Sequence, residues 1–433
     1  MKVLILNTVV LNTGDAAILH GVLEILHRVF GSQVQTIVFD SHADAAGKYY
    51  PSIDFRHPPY QTVIGSKLSA RPVVISRLYG KVSRSWNVAR FRIGLGLWRG
   101  GRCTVARLFL RHDEEAMIEE FRTADLVVST GGTYFVENYA LVPKIFDLTL
   151  AIDLGRPLVL FTQSLGPFQD PVHQDAVRRI VAASTIVLLR DAASRRHLLE
   201  LGVSGDKLMI APDTAFAMTT DPGLSSRSVH RHLGRLRVAI SVRAWSRFTR
   251  FSAGEGMSRF KAAVGEATHR LVEDRGAQVT YLSTCQGAPA YGIDDSTTAR
   301  EIVDALPPEI RSRVAIDADF HTPERLEAML SEFDVALATR MHFAILAMMA
   351  GTLTVPISYE FKTTELFTTL ELGHLVEDIE TVTAASLLAK VDWLLAHRDE
   401  SQAAIGAAVT RERARARDMV GILQDRFAPS LRT

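Results

Sequence analysis

In the C-terminal half of the chain, cationic side chains stand just beyond three short apolar runs. Arg243 follows Ala239-Ile240-Ser241-Val242, Arg340 and His342 follow Val335–Thr339, and Lys362 follows the Pro356–Tyr359 run through Glu360-Phe361. If the runs are strands of an open parallel sheet, these residues lie at carboxyl ends, where such sheets bind ligands. A group of cations there suits a small, highly charged anion. His342 also opens the apolar stretch Phe343–Ala350; free N–H groups and the dipole at a helix N-terminus favour phosphate or carboxylate. Lys and Arg make up 49 of 433 residues, so chance alone supplies some basic strand ends. The Arg-x-His pair, followed by a lysine after the very next strand, is the more specific feature.

The N-terminal half presents different chemistry. Asn12, Gly14 and Asp15 fall in the first strand-to-helix turn, Gly131-Gly132 follows the run Leu126–Ser129, and Gln163-Ser164 follows Leu158–Thr162. Glycine permits close backbone approach and the amide, hydroxyl and carboxylate groups bond hydroxyls, which suits a sugar. Turn chemistry and helix capping account equally for Asp15 and much of the glycine. The chain lacks His-Glu-x-x-His, Gly-x-Ser-x-Gly, Gly-x-Gly-x-x-Gly and Walker sequences, so no metal set, nucleophile elbow or usual nucleotide fingerprint is expected. Asp294-Asp295 is an isolated acidic pair that reads as a helix start before Ser296–Val303.

The elements that must position these groups are legible as short apolar strands separated by helical patterns. Val3–Leu6, Thr36–Phe39, Leu126–Ser129, Leu158–Thr162 and Thr185–Leu189 form one series; Arg237–Val242, Val279–Ser283, Val314–Ile316, Val335–Ala338 and Thr354–Ile357 form a second. Continuous apolar strands alternating with helices predict parallel sheets covered on both faces, hence α/β architecture with two doubly wound, Rossmann-like domains facing a central cleft. The predicted division is 1–220, with a basic insertion at 61–112; a Ser/Gly/Pro/Arg-rich linker, Thr219 to Arg235; 236–382; and closing helices in 383–433.

Composition bounds the rest. With 47% apolar and 22% charged residues the chain is globular. Cys103 and Cys285 are too few and too far apart to staple it, so a reducing cytoplasm is the expected location. Asn7, Asn12, Gly14 and Asp15 interrupt any signal-peptide core, and no run of about 18 apolar residues predicts a membrane span. The net charge of +1 hides an asymmetry: Gln61–His112 holds eleven cations and no acid, leaving 38 basic against 48 acidic residues elsewhere. Trp86, Phe91, Trp98 and Phe109 lie among those cations, as expected of peripheral contact with an anionic membrane or a lipid-linked phosphate. A helical insertion packing its aromatics on its own domain fits the same composition. No recognisable module supports nucleic-acid binding.

The motifs, taken together, resemble the polysaccharide pyruvyl transferase family. They run collinearly through Asn12-Thr13-Gly14-Asp15-Ala16-Ala17-Ile18, Gly131-Gly132, Gln163 to Phe168, and Leu189 to Ser194 with Leu201-Gly202-Val203. Ala211-Pro212-Asp213-Thr214-Ala215-Phe216, Ser241-Val242-Arg243, Thr339-Arg340-Met341-His342 and Ser358-Tyr359-Glu360-Phe361-Lys362 continue the series, whereas Gln61–His112 falls outside it.

The resemblance implies a fold like that of GT-B glycosyltransferases, phosphoenolpyruvate as donor substrate without a further cofactor, and a saccharide or lipid-linked oligosaccharide acceptor that receives pyruvate as a ketal. By the family's pattern Arg243, Arg340, His342 and Lys362 hold the donor. Asn12, Gly14, Asp15, Gly132, Gln163 and Ser164 face the acceptor. His342 is the expected general acid toward the donor's methylene carbon, with bound anion favouring the imidazolium; Arg340 and its neighbours offset charge on the leaving phosphate, and Asp15 accepts a hydroxyl proton or serves only as a cap. Two other readings fit the same residues: a GT-B enzyme using a nucleotide sugar, and a non-catalytic scaffold that binds sugar phosphates.

Overall fold

Strands rich in Val, Ile and Leu on both faces can be buried only between two layers of helices, and the chain makes two such sheets, every pairing parallel. The computed structural model describes residues 1–65, 73–137, 139–219 and 234–427, with the backbone alone across 73–82. The linker read at Thr219 to Arg235 lies almost wholly outside them, as do Lys67 and Arg71.

The chain divides into two compact units. One comprises Met1–Val9 and Leu26–Ala211; the other comprises Val10–Ile25 with the described residues of Pro212–Thr433. The first-turn residues Asn12, Gly14 and Asp15 thus belong to the unit that holds the second sheet.

The first sheet contains β1 (Lys2–Thr8), β2 (Gln35–Asp40), β3 (Asp54–Arg56), β4 (Leu126–Ser129), β5 (Gly132–Phe135), β6 (Leu158–Leu165), β7 (Ile186–Leu189) and β8 (Leu208–Ile210), in the order β3-β2-β1-β4-β6-β7-β8 with β5 added to β6. Leu4, Ile5, Val127 and Val128 are wholly buried at its centre. The order reverses between β1 and β4, creating the crevice where doubly wound sheets take ligands. The reading of Gln163-Ser164 and Gly132 as loop residues is corrected: β6 runs on to Leu165 because β5 pairs with its end, Gly132 opposite Gln163 and Phe135 opposite Leu165.

The second sheet contains β9 (Arg237–Ser241), β10 (Gln278–Tyr281), β11 (Val314–Ile316), β12 (Val335–Ala338), β13 (Leu353–Ser358) and β14 (Glu377–Asp378), ordered β11-β10-β9-β12-β13-β14. Its switch point lies between β9 and β12, where Thr339 N–H donates to the Ser241 carbonyl at 3.0 Å. The helix Met341–Met349, buried at every residue except His342, follows β12 directly. The helix Arg398–Phe427 closes this unit.

In the first unit the basic insertion is helical from Val73 to Arg99. Phe91 packs in the core against Phe146, ring centroids 5.7 Å apart, and Trp98 lies against the same core. Arg90 holds the buried Glu114, and Arg111 donates to the Thr62 and Val63 carbonyls. Trp86, by contrast, is 68% exposed, and Arg84, Arg92, Ile93 and Arg99 are exposed as well.

Candidate functional site

Three adjacent central strands of the second sheet, β9, β12 and β13, deliver the basic residues to one edge. Arg340 is the N-cap of Met341–Met349 and is 9% exposed. Its Nε and Nη2 donate to the two carboxylate oxygens of Asp295 at 2.8 and 2.7 Å, a fork-to-fork pair that leaves Nη1 outside it. Burial opposes the charge, but Asp295 outweighs it and holds the guanidinium above its ordinary pKa. Asp295 is itself 3% exposed and accepts from Ser283 Oγ at 2.5 Å, and Ser283 Oγ lies 3.2 Å from Ser241 Oγ.

Tyr359 is the hub for the other two cations. The Arg243 guanidinium sits 4.2 Å from its ring centroid and 5.2 Å from that of Trp245. Lys362 Nζ lies 5.6 Å from the same Tyr359 ring and 2.9 Å from Glu360 Oε2. Cation–π contact holds these long side chains in place, and Glu360 shares the Lys362 charge.

His342 occupies the first turn of Met341–Met349, as the sequence placed it, the helix beginning two residues earlier than expected. Its Nε2 is 3.3 Å from Oδ2 of Asp213, a carboxylate 3% exposed whose Oδ1 accepts from Ala215 N–H at 3.0 Å. The backbone of Gly14 closes the other side: a Cβ built there falls 2.6 Å from His342 Cβ and 2.9 Å from Nδ1. Glycine is required because any side chain would displace the imidazole.

The turn that carries Gly14 is fixed from within its own unit. Thr13 N–H donates to the Thr284 carbonyl at 2.8 Å and Thr13 Oγ1 to the His321 carbonyl at 2.7 Å. Asn12 caps the helix Thr13–Phe30, accepting from Gly14 N–H at 3.0 Å and donating to Asp15 at 2.7 Å. Cys285, nearby, is pushed up to about 12 by burial and remains a thiol.

The remaining sequence candidates lie in the first unit. Gln163 and Ser164 are fully buried strand residues: Gln163 Nε2 donates to Ser129 Oγ at 2.5 Å and to the Thr130 carbonyl at 2.9 Å, while Ser164 Oγ donates to Asp191 at 2.6 Å and accepts from Arg190. Gly132, at φ +129°, lies under the Tyr134 ring, which a Cβ would meet at 2.6 Å.

The structure therefore gathers Arg243, Arg340 and Lys362 around one edge, seats His342 on Gly14, and puts Gln163 and Ser164 inside the first sheet. Sequence reasoning missed Asp295, Asp213 and Tyr359 as site members. Asp213 and Tyr359 lay within recognised motifs without a role. Asp294 is the expected cap, accepting from Ser296 N–H at 2.9 Å, whereas its neighbour points inward at Arg340, a pairing across 45 residues that no local pattern signals.

Comparison with known proteins bears on the family and the fold. Over 424 residues the chain is 27% identical to the amylovoran biosynthesis protein AmsJ of Erwinia amylovora, covering 95% of this chain and 96% of that one. Among solved structures, UDP-GlcNAc 2-epimerase from Neisseria meningitidis bound to UDP-GlcNAc superposes with a TM-score of 0.56 at 9% identity, covering 98% and 100% of the two chains. HepE of Anabaena in complex with UDP does so at 0.54 and 13% identity, covering 100% and 99%. These likenesses show a GT-B-like fold of two Rossmann-like domains. The family model for polysaccharide pyruvyl transferase matches residues 12–360, from the capping turn under His342 to Glu360, two residues before Lys362, and the chain belongs to that family.

Proposed function

We propose that the protein transfers the pyruvyl group of phosphoenolpyruvate to a saccharide, forming a ketal and releasing phosphate, in exopolysaccharide or cell-surface glycan assembly. The observation that carries this reading is the set Arg243, Arg340 and Lys362 at three neighbouring strand ends, beside a histidine in a helix first turn. A donor bearing phosphate and carboxylate supplies the negative charge that such a set requires, and AmsJ, by its name, acts in amylovoran biosynthesis.

The chemistry follows from proton accounting. His342 protonates the methylene carbon, making C2 an oxocarbenium-like centre, and a sugar hydroxyl adds there. A second hydroxyl closes the ketal as phosphate leaves. One of the two hydroxyl protons replaces the proton His342 gave to carbon and the other departs on phosphate, so the enzyme returns to its starting state. Arg340, Arg243 and Lys362 meet charge as it develops on the leaving group.

Phosphate release from phosphoenolpyruvate, measured with and without a panel of oligosaccharide and lipid-linked acceptors beside a donor titration, tests the proposal. Release that depends on acceptor is expected. Donor binding without release under any acceptor would favour the silent sugar-phosphate binder, and binding of a nucleotide sugar with indifference to phosphoenolpyruvate would favour a glycosyltransferase.

No helix among the described residues is long and apolar enough to cross a membrane. We propose that an enzyme acting on lipid-linked acceptors takes a peripheral hold on the bilayer through the exposed Trp86 and Ile93 with Arg84, Arg92 and Arg99. The double substitution Trp86→Ala, Ile93→Ala should reduce cosedimentation with vesicles rich in phosphatidylglycerol severalfold. Unchanged binding would assign these residues no membrane role.

A further inference from the structure

A cavity of about 440 Å³ opens in the first unit, at the carboxyl ends of β1 and β2. Its size falls within the roughly 300–1,000 Å³ usual for small-molecule sites. Tyr60, Tyr134 and Tyr139 supply aromatic surface, and Asn7, Gln61 and Lys144 supply polar groups. Lys144 ties two of the rings together: Nζ donates to the Tyr134 carbonyl at 2.9 Å and lies 4.8 Å and 5.4 Å from the Tyr134 and Tyr139 centroids.

Two further features mark the cavity as built for a ligand. Asn7 adopts φ +64°, a left-handed conformation rare outside glycine, at the end of β1 where the strand order reverses, and its amide donates to Ser129 Oγ at 2.8 Å. Gly132 has no side chain where one would strike the Tyr134 ring, so that ring can lie where the cavity needs it.

We propose that this cavity is a saccharide subsite, holding one sugar ring of the acceptor against Tyr134 and Tyr139 with hydroxyls bonded by Asn7, Gln61 and Lys144. The inference rests on the transferase reading above and moves the acceptor contacts from the buried Gln163 and Ser164 to this cavity. A sugar ring presents apolar C–H faces and a rim of hydroxyls, which pairs with aromatic faces and mixed donors and acceptors; a lipid tail matches the aromatic faces but not the polar groups beside them. Asp147, in the lining, accepts Tyr60 N–H at 2.6 Å, and burial raises its carboxyl well above the usual range.

Tyr139 is 49% exposed, so its removal spares the core. The test measures binding of lactose, cellobiose, maltose and a glucuronic acid-containing disaccharide by saturation-transfer NMR, without donor, to wild type, Tyr139→Ala, Tyr134→Ala and Tyr139→Phe. At least one probe should bind wild type and Tyr139→Phe alike and bind both alanine variants about tenfold more weakly, with phosphoenolpyruvate affinity unchanged. Equal binding by all four proteins, or binding of no disaccharide, would overturn the subsite. Failure of the donor reading is separate: phosphoenolpyruvate would then neither bind nor release phosphate while saccharide binding persisted.

Discussion

Replacing His342 by alanine will abolish acceptor-dependent phosphate release, with a loss of roughly 10²–10⁴-fold, while phosphoenolpyruvate still binds. The imidazole is confined between the Asp213 carboxylate and the backbone of Gly14, in a helix first turn where a donor anion would bring its methylene group. In the proposed mechanism its removal deletes the proton source, whereas Arg340, Arg243 and Lys362 remain to hold the donor. Asp213 acts through His342, and its effect should be of a different kind. Asp213→Asn keeps the acceptor for Ala215 N–H but loses the charge facing Nε2. It should lower kcat by more than it raises donor KM, alter the pH profile of kcat, and add little to the loss already suffered by His342→Ala, since residues acting as one unit are non-additive. Full turnover in His342→Ala would take the residue out of the chemistry, and additive losses in the double variant would separate Asp213 from it.

The parts of this arrangement that were legible in the sequence are those encoded locally. Strands buried on both faces need unbroken apolar runs, so Leu126–Ser129 and Val335–Ala338 are found as read, and the residues that follow β9, β12 and β13 stand at one sheet edge. Short or half-exposed strands carry no such run: β3, with the sequence Asp54-Phe55-Arg56, and the two-residue β14 gave no signal. Gln163 and Ser164 misled because polar residues usually mark loops. Here β5 pairs alongside, and Ser129, Thr130 and Asp191 accept from the Gln163 amide N–H groups and the Ser164 hydroxyl, so the two residues complete a strand instead. For the turn Asn12–Asp15 the sequence allows both a sugar-facing loop of the first domain and a helix cap. Its hydrogen bonds show a helix cap anchored to Thr284 and His321, contacts some 300 residues away in sequence that no local pattern encodes.

Asp295→Asn will destabilise the ligand-free protein by about 3–5 kcal/mol, and donor or phosphate will recover more of that loss than they add to wild type. The argument starts from the cost of a guanidinium held out of water. Arg340 is tolerable there because both oxygens of Asp295 neutralise it, with Ser283 fixing the carboxylate. Asparagine retains the size and one acceptor but presents an amide N–H to a cation, leaving the charge unpaired. An anionic donor reaching Nη1 then supplies the missing counter-charge, so ligand binding and stability become coupled: any species that binds only the folded state stabilises by RT ln(1 + [L]/Kd). Thermal melts of wild type and Asp295→Asn with and without phosphoenolpyruvate and inorganic phosphate measure both effects. Equal ligand-induced shifts in the two proteins would mean that the donor does not meet Arg340, and an unchanged melting temperature without ligand would mean that the pair does not govern folding.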